Sequence, residues 1–323
     1  MTKEVIDYGF TAEEFGPVTT EPTYSGALSF ARRMYSKNLE SAELAVSGVP
    51  FDTATSNRPG TRFGPRAIRA ASVEIAWQRN WPWEFDPFQL LNTIDYGDCY
   101  FDMRRQNQVP AVIEAHASHI LDSDCAMLTL GGDHFITLPL LRAHVKKHGP
   151  ISLLHFDAHT DTWEDEDGGI DHGTMFFHAV KEGLVIPEKS VQIGIRTTND
   201  KALGFNILDA GWVHAHSVRE LTGTIRQILG NRKTYLTFDI DCVDPAFAPG
   251  TGTPVCGGLS SIHALQTLRG LRGINLVGMD LVEVSPAYDH AEVTSLLGAT
   301  LAYEMICLYV ARHKLGEVVD SRD

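Results

Sequence analysis

Six residues of metal-ligand type fall in three short clusters. They are His134 in GGDH (131–134), Asp157, His159 and Asp161 in DAHTD (157–161), and Asp239 and Asp241 in DIDCVDP (239–245). Each cluster follows an apolar run of strand length: AMLTL, ISLLHF and TYLTF. A fourth run, INLVG, leads into MDLVEV (279–284), which carries Glu283. In an open parallel sheet the loops beyond the carboxyl ends of the strands share one edge, and ligands bind there. The seven residues are therefore expected to converge, although they are spread along the chain from 134 to 283.

Within the clusters the spacing is two, and an extended chain puts alternate side chains on one side. Four carboxylates gathered in a dry cleft repel and shift their pKa values upward. Divalent cations remove that cost. Six protein ligands exceed a tetrahedral zinc site and suit two metals with bridging carboxylates. Four oxygen donors, two nitrogens and no Cys favour a hard-to-intermediate ion such as Mn²⁺.

The elements that must position these residues alternate in type. Strand-length runs lie at 44–49, 91–96, 126–130, 151–156, 190–195, 234–239 and 274–279, with helical periods at 65–76, 109–121, 135–147, 217–229 and 260–271 between most of them. Short strands alternating with helices imply βαβ units and a parallel sheet covered on both faces. No repeat or linker divides the rhythm, so the expectation is one α/β domain over 41–323, preceded by an arm of low regularity over 1–40. The stretch 161–189 interrupts the pattern with an acidic cluster and a Gly-Gly pair. A connection of that length in a compact domain is usually functional or disordered. The Pro- and Gly-dense stretch 241–258 reads as ordered loop.

Composition bounds the function. The net charge of −14 over 323 residues argues against nucleic acid or an anionic membrane surface and favours cationic ligands. Five Cys without a CxxC pair, and an N-terminus without basic-then-apolar order, fit a reducing, cytoplasmic location. Residues 293–311 are apolar apart from Glu304 in the middle. A mid-span carboxylate is expensive in lipid, so this segment is expected to be a core helix rather than a membrane span.

Other residues attract less chemistry. His116 and His119 read as partly exposed helix residues, His155 as packing or as support for a ligand, and Cys242 as a small buried residue. Asp133 is placed to cap the helix at 134–146. TSNRPGTRFGP (55–65) lacks Walker A order and reads as a structural loop at the rim.

At GGDH, DAHTD and TFDID the sequence resembles the ureohydrolase family of arginases, agmatinases and related amidinohydrolases. The likeness continues through FGPRAIR (63–69), DHGTMF (171–176), VQIGIRT (191–197), DPAFAPGTGTP (245–254) and MDLVEVSPAYD (279–289). It runs from about residue 45 to the end. Within the family the chain looks most like the bacterial agmatinases, through DAHTDT, IDHGTMF, KEGL and DPAFAPGTGTPV. The resemblance implies a three-layer arginase-like α/β fold with a mostly parallel eight-stranded sheet, and a homotrimer or homohexamer. It implies two Mn²⁺ per chain, held by His134, Asp157, His159, Asp161, Asp239 and Asp241. It also implies a proton-shuttling His172 and a guanidinium-binding Glu283.

A guanidinium is a poor electrophile because resonance and charge stabilise it. The expected chemistry joins metal-activated water, a bidentate Glu283 contact to the guanidinium, Asp161 as ligand and hydrogen-bond acceptor, and His172 as proton donor to the leaving amine. Arginases of the family follow the DAHTD segment with a polar loop that holds an α-carboxylate. This chain has Glu164, Asp165, Glu166 and Asp167 there, a run that attracts a second cation and repels a carboxylate. Agmatine, a dication, is the substrate expected from that contrast, with Trp163 either walling the pocket or packing. The alternatives are guanidinobutyrase, guanidinopropionase or arginase activity. A one-zinc deacetylase conflicts with the six-ligand set, and a non-enzymatic metal-binding subunit with the presence of His172 and Glu283.

Overall fold

The apolar runs become strands because they are short, rich in branched residues and bounded by turns. The computed structural model describes Gly9 and residues 21–77, 79–164 and 169–319. Its strands are β1 (Leu44–Val49), β2 (Thr93–Asp98), β3 (Ala126–Gly131), β4 (Ser152–Phe156), β5 (Val191–Ile193), β6 (Asn206–Leu208), β7 (Thr234–Asp239) and β8 (Leu276–Val282). They form one sheet in the order β2-β1-β3-β8-β7-β4-β5-β6, and every pairing is parallel. Seven of the eight match the apolar runs. The eighth, β6, has only three residues, too few to display a period.

The helices are α1 (Gly64–Ala71), α2 (Pro87–Leu90), α3 (Val109–Asp122), α4 (Thr137–His148), α5 (Met175–Lys181), α6 (Ala210–Ala215), α7 (Val218–Leu229), α8 (Ser261–Gly270) and α9 (Val293–His313). Alternate strand residues serve two cores. Leu44, Val46, Leu154, Phe156, Leu236 and Phe238 pack with α1, α7, α8 and α9. Ala45, Leu153 and Tyr235 pack on the other face with α3, α4 and α5. This period of two, with both faces covered, is why the strands read as near-continuous apolar runs.

The segment 293–311 lies in α9, which is apolar enough to cross a membrane but mostly buried in the protein. Its Glu304 is fully buried and accepts hydrogen bonds from Arg269 Nη2 and from the Trp83 indole N–H, each at 2.6 Å. A buried carboxylate persists when paired and hydrogen-bonded. The second half of the N-terminal stretch is docked as well. Phe30 is buried, and its N–H donates to Asp95 Oδ2 at 2.7 Å while Arg69 pairs with the same carboxylate at 2.8 Å. Residues 1–8 and 10–20 lie outside the described residues.

Four central neighbours, β3, β8, β7 and β4, matter for chemistry. They are adjacent in the sheet although far apart in sequence, and their carboxyl ends open onto one edge.

Candidate active site

His134 follows the end of β3 through Gly132. A Cβ on Gly132 would lie 2.0 Å from the Phe51 carbonyl oxygen, so only glycine lets the chain leave the strand here. His134 then opens a 3₁₀ turn (His134–Ile136) that runs into α4. Asp133 occupies the capping position but makes no side-chain cap. Its carboxylate instead accepts the Ala54 N–H at 3.0 Å, because the loop after β1 folds over it.

The alternation of Asp157, His159 and Asp161 does not come from extended chain. β4 ends at Phe156, and Asp161 has φ +52°. Asp239 ends β7, whereas Asp241 sits in a 3₁₀ turn (Ile240–Cys242) and donates its N–H to Asp239 Oδ1 at 2.8 Å. Tight turns, not strand pleats, aim these side chains. Glu283, just past β8, is likewise at φ +64°. Left-handed backbone at a non-glycine residue is strained and clusters at functional sites. Here it falls on two of the predicted site residues.

The six residues do converge, in two groups that share one member. His134 Nδ1 lies 3.1 Å from Asp157 Oδ2, 3.0 Å from Asp161 Oδ2 and 3.3 Å from Asp239 Oδ2. His159 Nδ1 lies 3.2 Å from Asp157 Oδ1 and 3.2 Å from Asp241 Oδ2. Asp157 thus offers one oxygen to each group. The four carboxylates are buried. Burial and then the charge of Asp157 push Asp161 up to about 7, and burial with Asp241 and Asp157 drives Asp239 well above the usual carboxylate range. Such a set is strained as bare charge. Nitrogen and oxygen atoms pointing at common centres, with His134 Nδ1 buried and without a hydrogen-bond partner, suit cations. The cluster is able to hold metal.

His155 also comes within reach of the first group. Its Nε2 faces Asp157 Oδ2 at 2.8 Å, and its Nδ1 accepts from the Gln192 amide at 3.0 Å. Nε2 therefore carries the proton and donates it, so the ring has no free lone pair. His155 is thus placed to support Asp157, while Asp239 Oδ2 lies 3.3 Å from His134 Nδ1.

Glu283 and His172 stand beside the cluster. Glu283 Oε1 accepts the His134 backbone N–H at 2.9 Å and lies 3.0 Å from His172 Nδ1. Its Oε2 is buried with no partner. Two neighbours pull His172 in opposite directions. Burial resists its charged form, but the hydrogen bond and charge of Glu283 prevail and raise it to about 9. The Ser56 N–H, aimed at Nε2 from 2.9 Å, is satisfied only by a neutral ring. Ser56 belongs to the loop read as a structural rim. Nothing in its spacing marks it, since the contact joins residues 116 apart. Cys242 is buried and His116 half-buried, as expected.

A cavity of about 250 Å³ opens over this group, with Trp163 and Asp171 in its wall. No Lys or Arg lines it among the described residues, and Asp171 is its one lining carboxylate outside the six. Of the acidic run, Glu164 forms an ion pair with Lys201. Asp165, Glu166 and Asp167 lie outside the described residues.

The Arginase family profile matches residues 42–307. An agmatinase from Chromobacterium violaceum is 53% identical over 89% of this chain and 90% of its own length. The crystal structure of a hypothetical agmatinase from Burkholderia thailandensis superposes with a TM-score of 0.91 at 54% identity, covering 95% of this chain and 98% of the other. A proclavaminate amidino hydrolase from Streptomyces clavuligerus superposes with a TM-score of 0.86 at 39% identity, covering 91% and 100%. With an all-parallel sheet of eight strands and a His/Asp cluster at its carboxyl edge, the chain belongs to the arginase family and is a ureohydrolase similar to agmatinases.

Proposed function

We propose that the protein hydrolyses agmatine to putrescine and urea, with two Mn²⁺ held by His134, Asp157, His159, Asp161, Asp239 and Asp241. Asp157, with one oxygen facing His134 and the other His159, would contribute to both ions. When bound, the ion pair lowers the pKa of a water and makes it nucleophilic near neutrality. The observation that carries the reading is Glu283 Oε2, a buried carboxylate oxygen without a partner, set next to that cluster. A guanidinium is the cation whose planar fork matches it.

The residues then divide the work. The guanidinium binds Oε2 of Glu283 and competes with His172 for Oε1. Binding the substrate therefore loosens the His172–Glu283 contact and frees the imidazole. Water adds to the guanidinium carbon, with Asp161 accepting a hydrogen bond from it. The bond from that carbon to the alkyl nitrogen breaks, and His172 supplies the proton the departing amine needs. The charged ring that gives this proton carries N–H on Nε2, for which the Ser56 hydroxyl, 2.8 Å away, is the acceptor.

The tail of the substrate meets a pocket wall with Asp171 and without Lys or Arg, which suits an ammonium and disfavours a carboxylate. Trp163 gives the methylene chain an apolar side. The reading carries with it a cytoplasmic homotrimer or homohexamer, supported by the family resemblance. A urea-release assay with Mn²⁺ over agmatine, arginine and 4-guanidinobutyrate tests it. Agmatine should be hydrolysed with the highest kcat/KM. Preference for guanidinobutyrate or arginine would replace this reading with one of the other guanidino-compound activities.

A further inference from the structure

Behind the His134 ring lies a buried polar chain that the chemistry above leaves unused. His134 Nε2 is 2.8 Å from Thr237 Oγ1. Thr237 on β7 stands opposite Asp280 on β8 in the parallel register. Asp280 Oδ2 accepts the Tyr235 hydroxyl at 2.8 Å and the Thr137 hydroxyl at 2.9 Å. Its Oδ1 is buried without a hydrogen-bond partner, and Thr237, its register neighbour on β7, is the hydroxyl that faces His134. All five residues are buried. Asp280 has no ion-pair partner among the described residues. An unpaired buried carboxylate is costly to keep, so its neighbours should show what it does.

Each hydroxyl has one proton to give. Tyr235 and Thr137 give theirs to Asp280. If Thr237 does the same, its oxygen is left to accept, and the group facing it is His134 Nε2. That ring must then carry its proton on Nε2. Its lone pair is confined to Nδ1, the atom 3.0–3.3 Å from the oxygens of Asp157, Asp161 and Asp239. The polarity of the chain runs one way, because an ionised carboxylate only accepts.

We infer that Thr237 and Asp280 are positioning residues which fix the tautomer and ring plane of His134 for metal binding. Partners of this kind commonly govern metal affinity as strongly as tenfold or more. The inference rests on His134 being a ligand, as proposed above, and needs no assumption about the substrate.

The test is Mn²⁺ titration of the metal-free protein, with ¹⁵N-histidine NMR of the same metal-free samples to read the His134 tautomer. Thr237→Val removes the hydroxyl at nearly constant size, Thr237→Ser keeps it, and Asp280→Asn removes the acceptor charge. Wild type should bind two ions and show His134 protonated on Nε2. Thr237→Val should weaken one of the two ions roughly 10- to 100-fold and mix the tautomers. Thr237→Ser should restore both, and Asp280→Asn should follow Thr237→Val. Wild-type affinities and an unchanged tautomer in Thr237→Val would overturn the inference. So would a Thr237→Ser variant as weak as Thr237→Val. Should Thr237→Val fail to fold, Asp280→Asn against Thr237→Ser decides by the same readouts. Failure of wild type to bind Mn²⁺ would instead defeat the proposed metal centre, while the tautomer spectra would still judge the chain of hydroxyls.

Discussion

Replacing Glu283 by Gln changes one charge while keeping the shape of the site. The Gln carbonyl can still accept the His134 backbone N–H that Oε1 accepts at 2.9 Å. What disappears is the charge on the buried, unpartnered Oε2, the atom assigned to the guanidinium. A hydrogen bond to a charged group contributes about 1.5–3 kcal/mol. At about 1.4 kcal/mol per tenfold, kcat/KM for agmatine should fall roughly 10- to 150-fold. Mn²⁺ content should hold, because Glu283 is outside the ligand set. His172 gives a second readout. Burial disfavours its charged form, but the bond and charge of Glu283, followed by the charges of Asp161 and Asp133, raise it to about 9. In the variant the charge is gone although the carbonyl can still accept from the ring, so an NMR titration of the metal-free protein should show His172 falling below about 9. The sign for stability follows. A histidine with a raised folded-state pKa stabilises fully below about 6.5, and that contribution is lost as pH rises through about 9. Metal-free wild type should lose stability across that window, and the Gln variant should lose less. Wild-type kcat/KM in the variant, with His172 still titrating near 9, would refute the role given to Glu283.

Four further outcomes are expected. His172→Asn should keep its metals and lose roughly 10²- to 10⁴-fold in turnover, and wild-type turnover with metals in place would remove its role as donor. Asp157→Asn should lose metal at both centres, measured by metal analysis, since its two oxygens serve His134 and His159 separately; two tightly held ions in that variant would contradict the bridging geometry. Asp171→Asn keeps the acceptor for the Gly173 N–H, 2.8 Å away, but drops the charge. It should raise KM for agmatine modestly, less so at high salt, with turnover nearly unchanged, whereas identical KM values at low salt would place the ammonium elsewhere. Glu304→Ala strands Arg269 and the Trp83 N–H and should destabilise the protein by about 3–5 kcal/mol in urea unfolding, a loss that a well-folded variant with an unchanged midpoint would disprove.

The convergence of the site residues was legible in the sequence, and their local geometry was not. His134, Asp157, Asp239 and Glu283 could be placed together because each follows a strand, and a parallel sheet delivers strand ends to one edge. That inference needs only the apolar runs and the direction of the chain. The spacing of two suggested a pleat, yet Asp161 and Glu283 reach the site through left-handed backbone, and Asp241 through a 3₁₀ turn. A period of two in sequence is blind to that difference, since a turn can also bring residues i and i+2 to one side. Two contacts have no signal in the sequence at all, and the cap expected of Asp133 is not made. Both contacts are long-range, Ser56 on His172 and Asp133 on Ala54, made by loops whose course no local pattern dictates. The helix α5 was hidden inside the stretch 161–189 because its seven residues, MFFHAVK, are too few to show a helical period. Asp280 is the most instructive case. In sequence it is the first of two acids in MDLVEV, three residues before Glu283 and on a fully buried strand, where an unpaired carboxylate ought not to be. Only the register of β7 against β8, which sets Thr237 beside it and His134 beyond, turns that anomaly into support for a ligand.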